Sequence, residues 1–387
     1  MPPWLWMTTL LVSENFPPVI GGTPRWFWEL YRRMPRAAVV IAAGACPGDG
    51  AFDRTHDLRV HRVPLTLANP GAFSIGNWKR HGAAIREIRR LVRRDAVQQV
   101  HCGRVLPEGW LAWRCGAAFA CFVHGEELHS ISTSRELTWM ARRVLRATRC
   151  VFANCRHTAG LLQRDWSVPE SKLRVLHPGV DTRRFVPAAP DAAARAALGW
   201  SGRTVLLTVS RLQKRKGHDR MIEAVGMLRQ PFPGVLYAIA GDGEERGALE
   251  EQVRRAGLTE YVQFHGALDE VALLHAYQQC DLFVLPNRNV AGDFEGFGMV
   301  LLEAQACERP VIAGASGGTA EAVRAGDTGL IVDCAQPEVL ATAVAGLLHD
   351  PLLRQRMGAE GRCWVERRFD FDTRASMSAR LLEIADA

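Results

Sequence analysis

The chain has 387 residues, of which 48% are hydrophobic and 23% are charged, a composition that predicts a folded globular protein and excludes a disordered one. This length exceeds what one ordinary hydrophobic core supports, so two domains of about 190 residues each are expected. The formal net charge of +7 is uneven, because residues 1–190 carry 27 Lys and Arg against 14 Asp and Glu, whereas the remainder carries 21 against 27. The first half, with a net charge of +13, is therefore expected to face an anionic partner.

The sequence gives no sign of a membrane span or of a disulfide-stabilised fold. No apolar run reaches the roughly 20 residues that a membrane-spanning helix requires. The apolar residues 4–12 lack the basic residues and the cleavage site of a signal peptide, so they are interpreted as a first buried strand. Ten cysteines occur without a Cys-x-x-Cys pair, which is typical of reduced, buried thiols in a cytosolic protein and argues against a zinc site.

Strand-like apolar runs alternate with helical patterns along the chain, which predicts parallel sheets built from strand–helix–strand units. The predicted strands of the first half are residues 5–12, 38–42, 97–101, 119–123, 150–153 and 174–176. The predicted helices of the first half are residues 24–34, 77–94, 134–146 and 157–165. The predicted strands of the second half are residues 205–209, 236–240, 262–264, 282–285, 311–313 and 330–332.

A proline- and alanine-rich stretch at residues 185–190 separates these two sets of strands and is the predicted linker. The predicted domains are residues 1–186 and 187–363, each α/β, doubly wound and Rossmann-like, facing each other across a cleft. Residues 364–387 are predicted to form a helix that returns to the first domain. In such sheets, ligands bind at the carboxyl ends of the strands.

Two carboxylates, Glu295 and Glu303, are separated by seven residues and follow the predicted strand 282–285. The spacing places Glu303 about one and a half turns into a helix, so both carboxylates can point into one cleft. Gly296 and Gly298 leave backbone N–H groups accessible to a hydroxyl-rich or anionic ligand. The alternative is a simple strand-to-helix turn with two solvated glutamates.

Four cations lie in residues 210–217, between the predicted strand 205–209 and a helix. A helix N-terminus already carries partial positive charge, so this placement is poor for stability and good for binding phosphate. Arg211 and Lys216 are the candidate phosphate ligands, since Arg grips two oxygens at once and Lys acts as a point charge. A solvated basic loop is the alternative.

Two further strand ends of the second half are candidate contacts to a nucleobase or ribose. Gly241 and Gly243 form a glycine-rich turn, and His265 with Gly266 ends the predicted strand 262–264. Neither segment is a Gly-x-Gly-x-x-Gly dinucleotide fingerprint. His265, taken alone, is better explained by a structural role.

In the first half, Gly21 and Gly22 precede a predicted helix and let a diphosphate approach free N–H groups, although tight-turn chemistry also explains such a pair. His124 ends the predicted strand 119–123, where a histidine is either a ligand contact or a structural residue.

The predicted helix 77–94 is amphipathic and strongly basic. Its apolar residues share one face, while five arginines occupy the rest: Arg86, Arg89, Arg90, Arg93 and Arg94. A packed helix with a solvated basic face and a surface for an anionic lipid or acceptor are both consistent with this pattern.

Several reaction classes are excluded because their motifs do not occur. The sequence has no Walker Lys-Ser/Thr loop and no His-Glu-x-x-His, and its Asp-x-Asp at residues 370–372 does not follow a predicted strand, where a diphosphate-bound metal would be held. We therefore expect no metal site and no cofactor.

Taken in order, these segments resemble the retaining glycosyltransferases of the GT-B fold known as family four. The resemblance covers nearly the whole chain and is carried by Gly21-Gly22, His124, the turn 177–181, Arg211 with Lys216-Gly217, Gly241-Asp242-Gly243, and Glu295 with Glu303. Residues 295–298 and 302–307 look most like bacterial mannosyltransferases that act on phosphatidylinositol-type lipids. Asn15 departs from the Asp often found before Phe-Pro-Pro in such enzymes, which bears on the acceptor.

The resemblance implies a nucleotide-sugar donor in the second domain and an acceptor in the first. It implies that Arg211 and Lys216 bind the diphosphate, that Glu303 binds the ribose, and that Glu295 with the Phe297 and Gly298 backbone binds sugar hydroxyls. It also implies that Gly22 approaches the phosphates and that His124 approaches the transferred sugar.

The sequence thus predicts a metal-independent hexosyltransferase that moves sugar from a GDP- or UDP-sugar to a lipid or glycan acceptor. It is expected in the cytoplasm, peripheral to the inner face of the plasma membrane, with no nucleic-acid partner. The alternatives are a nucleotide-sugar epimerase or hydrolase on the same fold, a transferase with a small soluble acceptor, and a non-catalytic basic binding protein.

Overall fold

The computed structural model describes residues 7–65 and 75–373, with side chains from residue 79 onward in the second range. The chain divides into two compact units, the first ending at Pro178 and the second comprising Gly179–Thr373. The predicted domain limits at residues 186 and 363 stay predictions. The start of the predicted strand 5–12 and most of the predicted helix 364–387 lie outside the described residues.

The first unit is built on a parallel sheet. Within its described residues the sheet has seven strands in the order β3-β2-β1-β4-β5-β6-β7. The strands are β1 (Thr9–Ser13), β2 (Val39–Gly44), β3 (Arg59–Val63), β4 (Gln99–Cys102), β5 (Phe119–Val123), β6 (Cys150–Ala153) and β7 (Leu173–Val175). The helices are α1 (Gly22–Tyr31), α2 (Asp49–Asp53), α3 (Ile75–Arg94), α4 (Trp110–Cys115), α5 (Glu126–Ser132), α6 (Arg135–Ala147) and α7 (Arg156–Trp166).

Strands β1, β2 and β5 are buried along their whole length, because helices cover both faces of a parallel sheet. One face of the sheet packs against Ile88 and Leu91 of α3 and against Met140 and Val144 of α6. These residues are the apolar stripes of two otherwise basic helices. Because these apolar stripes pack in the core, the charged faces of α3 and α6 lie at the surface.

Strand β3 was not predicted from the sequence. It lies at the sheet edge and has only two valines beside Arg59, His61 and Arg62, so its residues are mostly half-exposed. An edge strand needs only one apolar face, and this one has no continuous apolar run.

The second unit repeats the architecture. Its described residues form a six-stranded parallel sheet in the order β10-β9-β8-β11-β12-β13. The strands are β8 (Thr204–Val209), β9 (Val235–Ala240), β10 (Val262–Gly266), β11 (Leu282–Leu285), β12 (Val311–Gly314) and β13 (Gly329–Val332). The helices are α8 (Ala192–Ala197), α9 (His218–Leu228), α10 (Arg246–Arg255), α11 (Glu270–Gln279), α12 (Met299–Ala306), α13 (Thr319–Ala322), α14 (Pro337–His349) and α15 (Pro351–Arg368).

The predicted fold class is confirmed: both units are α/β, parallel and doubly wound. In each sheet the strand order reverses between two neighbours, β1 and β4 in the first unit and β8 and β11 in the second. Such reversal points leave a crevice at the carboxyl ends of the strands, where ligands of open α/β sheets bind. The loops after β1, β4, β8 and β11 are therefore the candidate ligand-binding segments.

Candidate active site

The loop after β8 approaches the end of β11 unusually closely. It comprises residues 210–217 and ends at Gly217, whose φ of 74° is left-handed. A Cβ atom at this position would overlap the carbonyl oxygen of Pro286, directly after β11, so only glycine fits. Gly217 thus holds the cationic loop against the reversal point of the second sheet.

Two cations of this loop are buried and paired with carboxylates. Lys216 Nζ donates to Glu295 Oε2, and Arg215 Nη1 lies 3.3 Å from the same oxygen. Arg215 Nε is 3.1 Å from Asp293 Oδ1. The side chain of Arg215 is 3% exposed and that of Lys216 is 11% exposed. The cluster is therefore a fixed set of charges shielded from solvent.

This pairing corrects one step of the sequence argument. The sequence predicts that four cations at a helix start are unfavourable for stability, yet in the structure carboxylates balance their charge. Lys214 Nζ, in a half-exposed side chain, lies 3.3 Å from Asp219 Oδ2, while Arg215 and Lys216 face Glu295. Because Glu295 lies 79 residues from Lys216, this compensation exists only in the fold.

The charge of Glu295 is stabilised by its surroundings. Burial raises the pKa of this carboxyl, but the positive charges of Lys216, Arg215 and Arg211 outweigh burial and hold the pKa below its usual range. Arg211, which is exposed, therefore acts on the same carboxylate as Lys216. The structure brings together three predicted residues, Arg211, Lys216 and Glu295, and adds Arg215 and Asp293, which the sequence analysis missed.

Glu303 has a different partner. It is the fifth residue of α12, and its Oε2 accepts a hydrogen bond of 2.6 Å from the hydroxyl of the fully buried Tyr277. Gly298 is the N-cap of the helix, and the ring of Phe297 packs 5.8 Å from that of Phe369. Tyr277 therefore holds the carboxylate of Glu303 in place. It is not part of a recognisable sequence motif, so the sequence alone could not identify it.

A buried chain of hydrogen bonds lies beneath the cationic loop. Ser210 Oγ is 2.9 Å from His218 Nε2, and His218 Nδ1 is 2.8 Å from the Tyr237 hydroxyl. The Tyr237 hydroxyl donates to Thr208 Oγ1 at 3.1 Å, and Thr208 donates to the carbonyl of Val284. Burial, together with the charge of Lys216, lowers the pKa of His218 to about 3. The loop therefore rests on a neutral imidazole.

The glycine turns of the second unit also support this loop. The Gly241 N–H donates to the Gly266 carbonyl at 2.7 Å, and the Leu212 N–H donates to the Asp242 carbonyl at 2.9 Å. Gly243 lies against Leu212 backbone atoms. His265 Nε2 accepts a hydrogen bond of 3.2 Å from Trp200 Nε1, and burial lowers the pKa of His265.

The remaining predicted residues lie in the first unit. Gly21 and Gly22 form the exposed N-terminus of α1, where Gly21 is the N-cap. His124 is 8% exposed, and its Nε2 donates to the Gly103 carbonyl at 2.9 Å. The His124 ring meets that of Trp26, on α1, edge to face at 5.6 Å. Helix α1 and His124 are thus packed together at the carboxyl ends of β1 and β5.

Comparison with known proteins decides the family. The model described as "Glycosyltransferase Family 4" matches residues 20–184, and the model "Glycosyl transferases group 1" matches residues 191–364. A protein of Mycobacterium tuberculosis (strain CDC 1551 / Oshkosh), named GDP-mannose-dependent alpha-(1-6)-phosphatidylinositol monomannoside mannosyltransferase, is 35% identical over 400 residues. The similarity covers 98% of both chains. The chain belongs to the family four glycosyltransferases.

Other similarities agree with this assignment. The glycogen synthase of the same organism is 30% identical to this glycosyltransferase over 404 residues, covering 97% of this chain and 94% of the synthase. The crystal structure of Anabaena Alr3699/HepE in complex with UDP and glucose aligns with a TM-score of 0.82 at 19% identity, covering 97% of this chain and 99% of the other. The latter likeness shows the GT-B fold.

The arrangement suits the chemistry of a glycosyltransferase. Sugar transfer develops negative charge on the departing diphosphate, which fixed cations and N–H donors stabilise most effectively when they need not rearrange. Lys216 and Arg215 are fixed by Glu295, and Arg211 stands beside them.

Over residues 7–65 and 75–373, no group of His, Cys, Asp and Glu has the geometry of a metal site, and no helix is long and apolar enough to cross a membrane.

Proposed function

We propose that this glycosyltransferase moves a mannosyl group from GDP-mannose to a phosphatidylinositol-type glycolipid, with retention of the anomeric configuration. The observation that carries the proposal is the Lys216–Glu295–Arg215 cluster at the reversal point of the second sheet. The whole-length similarity to a mannosyltransferase that is named for this donor and this class of acceptor supports the choice of substrates.

In this proposal the residues of the second unit bind the donor. Arg211 and Lys216 contact the diphosphate, and Glu295, held by Lys216 and Arg215, accepts hydrogen bonds from hydroxyls of the transferred sugar. The Phe297 and Gly298 backbone contacts the same sugar, and Glu303, oriented by Tyr277, accepts hydrogen bonds from the ribose. Gly241, Gly243 and Gly266 approach the base or ribose through backbone atoms.

The residues of the first unit face the acceptor and the reacting sugar. In this proposal His124 contacts the transferred sugar and Gly22 contacts the phosphates; both residues lie at carboxyl ends of strands of the first sheet. No protein base is needed if the departing phosphate takes the proton of the acceptor hydroxyl. The cations of the loop replace a metal ion in stabilising the leaving group.

The proposed place of action is the cytoplasmic face of a membrane, where a lipid acceptor is found. The exposed arginines of α3, among them Arg86, Arg90 and Arg93, supply positive charge for anionic lipid headgroups. They lie on the outer face of a helix whose apolar side is packed in the core.

A soluble glycan is the second candidate acceptor. The glycogen synthase that resembles this chain over 97% of its length has a glycan as its named product. The first proposal has the stronger support because the mannosyltransferase is more similar and covers more of both chains.

The test pairs each donor with each acceptor. The purified chain is incubated with GDP-mannose, UDP-glucose or ADP-glucose, and with phosphatidylinositol monomannoside or glycogen, and products are identified by mass spectrometry. We expect one hexose to be added to the lipid from GDP-mannose only. The variant Lys216→Met should lose activity by roughly a hundredfold or more, and Lys172→Met, which removes a lysine of the first unit, should be as active as the wild type. Transfer of glucose to glycogen would overturn the proposal in favour of the second candidate.

A further inference from the structure

The reversal point of the first sheet carries a charged cluster that the proposed donor site does not use. Glu14 directly follows β1, and Arg104 lies two residues after β4, the two neighbours between which the strand order reverses. The equivalent place in the second unit holds Arg211 and Lys216. Because ligands of open α/β sheets bind at such points, the residues around Glu14 and Arg104 are candidates for a second binding site.

Arg104 joins two carboxylates. Its Nη2 is paired with Glu14 Oε2 and lies 3.3 Å from Glu108 Oε1. Glu108 Oε1 also accepts a hydrogen bond of 3.0 Å from the Glu14 N–H. The negative charge of Glu108 is the main cause that raises the pKa of Arg104, and the charge of Glu14 adds to it. Together they outweigh burial, which lowers this pKa. All three side chains are therefore fixed relative to one another.

The cluster is partly open and has hydrogen-bonding capacity that the protein does not use. The side chains of Glu14 and Arg104 are 22% and 25% exposed, whereas Glu108 beneath them is 0% exposed. Within the described part of the chain, Glu108 Oε2 and Arg104 Nε are buried and have no hydrogen-bond partner. A buried polar atom without a partner is unfavourable, so the protein alone does not complete the hydrogen bonding of this network.

The cluster adjoins a residue expected near the transferred sugar. Gly103, the residue before Arg104, accepts the hydrogen bond of His124 Nε2 through its carbonyl. A Cβ atom at residue 103 would press against Ser13 Oγ, so the chain beyond β1 and the chain beyond β4 are in close contact here. A molecule bound to Glu14 and Arg104 is thus a neighbour of His124 within the same unit.

We propose that Glu14 and Arg104 bind adjacent hydroxyl groups of the ring of the acceptor, a neutral sugar or cyclitol, and that Glu108 is their positioning residue. A carboxylate accepts and a guanidinium donates, so the pair matches two neighbouring hydroxyls. Two carboxylates against one guanidinium leave a net charge of −1, which disfavours a phosphate at this place. The inference rests on the proposed function, because it names the part of that acceptor which the first unit recognises.

The experiment measures acceptor recognition separately from donor binding. Variants Glu14→Gln, Arg104→Lys and Glu108→Gln are assayed at saturating GDP-mannose with two water-soluble acceptors, glycerophosphoinositol monomannoside and its phosphate-free inositol mannoside. Asp57→Asn, which removes the carboxylate of the exposed Arg36–Asp57 pair of the same unit, is the matched control. Thermal unfolding, with and without GDP, reports folding and donor binding.

We expect Glu14→Gln and Arg104→Lys to raise the acceptor KM at least tenfold for both acceptors, while the GDP-induced shift in Tm and the donor KM change less than twofold. Glu108→Gln should raise the same KM through Arg104, and Asp57→Asn should leave it unchanged. Unchanged acceptor KM in folded Glu14→Gln and Arg104→Lys would overturn the proposal. A KM increase confined to the phosphate-bearing acceptor would overturn it in favour of a phosphate site.

Failure of the proposed function has a different signature. If the wild-type chain transfers no mannose to either acceptor, the substrates are wrong. In that case the same variants are tested by saturation-transfer NMR with myo-inositol and methyl α-mannoside. Loss of the wild-type signal in Glu14→Gln supports the cluster as a polyol site, and equal signals in variant and wild type reject it.

Discussion

The carboxylate of Glu295 accepts a hydrogen bond from the ammonium group of Lys216, although the two residues are 79 positions apart in the sequence. The contact fixes a cation and a hydrogen-bond acceptor side by side. In the proposed site the cation faces the diphosphate of the donor, and the carboxylate faces the hydroxyls of its sugar. Arg215 contacts the same carboxylate oxygen, so the pair does not depend on a single interaction.

Removing the cations should reduce turnover without unfolding the protein. Lys216→Met and Arg211→Ala each remove a charge that we propose stabilises the leaving diphosphate, and kcat should fall by roughly a hundredfold or more. Glu295 keeps Arg215 as a partner in Lys216→Met, so the fold should survive. Steady-state kinetics and circular dichroism check both points, and near-normal kcat in a folded double variant would contradict the assignment.

Tyr277→Phe tests the orientation of Glu303. The variant deletes the hydroxyl that donates to Glu303 Oε2 at 2.6 Å and so releases the carboxylate from the orientation proposed for the ribose. Affinity for GDP, measured by calorimetry, should fall by about tenfold, the equivalent of one weakened hydrogen bond to the ligand. Tyr261→Phe, a tyrosine of the same unit that stacks on Arg203, is the control. Equal GDP affinity in both variants would show that Glu303 does not act on the nucleotide.

His218 makes stability depend on pH. Its folded pKa is lowered to about 3, so between that value and its ordinary value of about 6.5 the unfolded chain binds a proton that the folded chain does not. The stability contribution is present above about pH 6.5 and is lost as the pH falls toward 3. The free energy of unfolding of His218→Gln should fall less steeply over this window than that of the wild type. His275→Gln controls for the loss of a histidine, and parallel curves for wild type and His218→Gln would contradict the prediction.

Activity should survive chelation. We expect EDTA to leave the rate unchanged, because the cations of the loop after β8, rather than a divalent ion, face the proposed diphosphate. The rate is measured before and after dialysis against EDTA, with a metal-dependent transferase as the positive control. Loss of activity that magnesium or manganese restores would reveal a metal site.

The basic face of α3 should bind anionic membranes. Arg86, Arg90 and Arg93 are exposed, and near an anionic surface each contributes about 1 kcal/mol of attraction. Changing these three to Glu should abolish sedimentation with phosphatidylglycerol vesicles and leave GDP affinity alone. Binding by the wild type should weaken steeply with salt.

The matched control for this experiment changes charge in the other unit. Arg254, Arg255 and Arg356 are exposed residues of α10 and α15, and their replacement by Glu gives the same change in net charge. The control should bind vesicles as the wild type does. Equal binding of wild type to neutral and anionic vesicles would reject the membrane proposal and favour a soluble acceptor.

Most of the fold could be predicted because buried parallel strands are continuous apolar runs, as in residues 119–123, 150–153 and 282–285, whose predicted bounds are those observed. Strand β3 escaped prediction because Arg59 and Arg62 interrupt its apolar pattern at the sheet edge. The motif residues Arg211, Lys216, Glu295 and Glu303 were found from local spacing. The pairing of Arg215 with Asp293 and that of Tyr277 with Glu303 join distant segments, and one sequence contains no signal for them.

The division of the chain into two units has a consequence for the evolution of substrate specificity. The residues proposed to bind the sugar nucleotide, Arg211, Lys216, Glu295 and Glu303, lie within Gly179–Thr373, whereas those proposed to bind the acceptor, Glu14 and Arg104, precede Pro178. On this assignment, substitutions that alter which molecule receives the sugar can accumulate in one unit while the proposed contacts to the sugar nucleotide stay intact in the other. A lineage can thus inherit its donor and acquire a new acceptor by mutation or recombination in half of the gene.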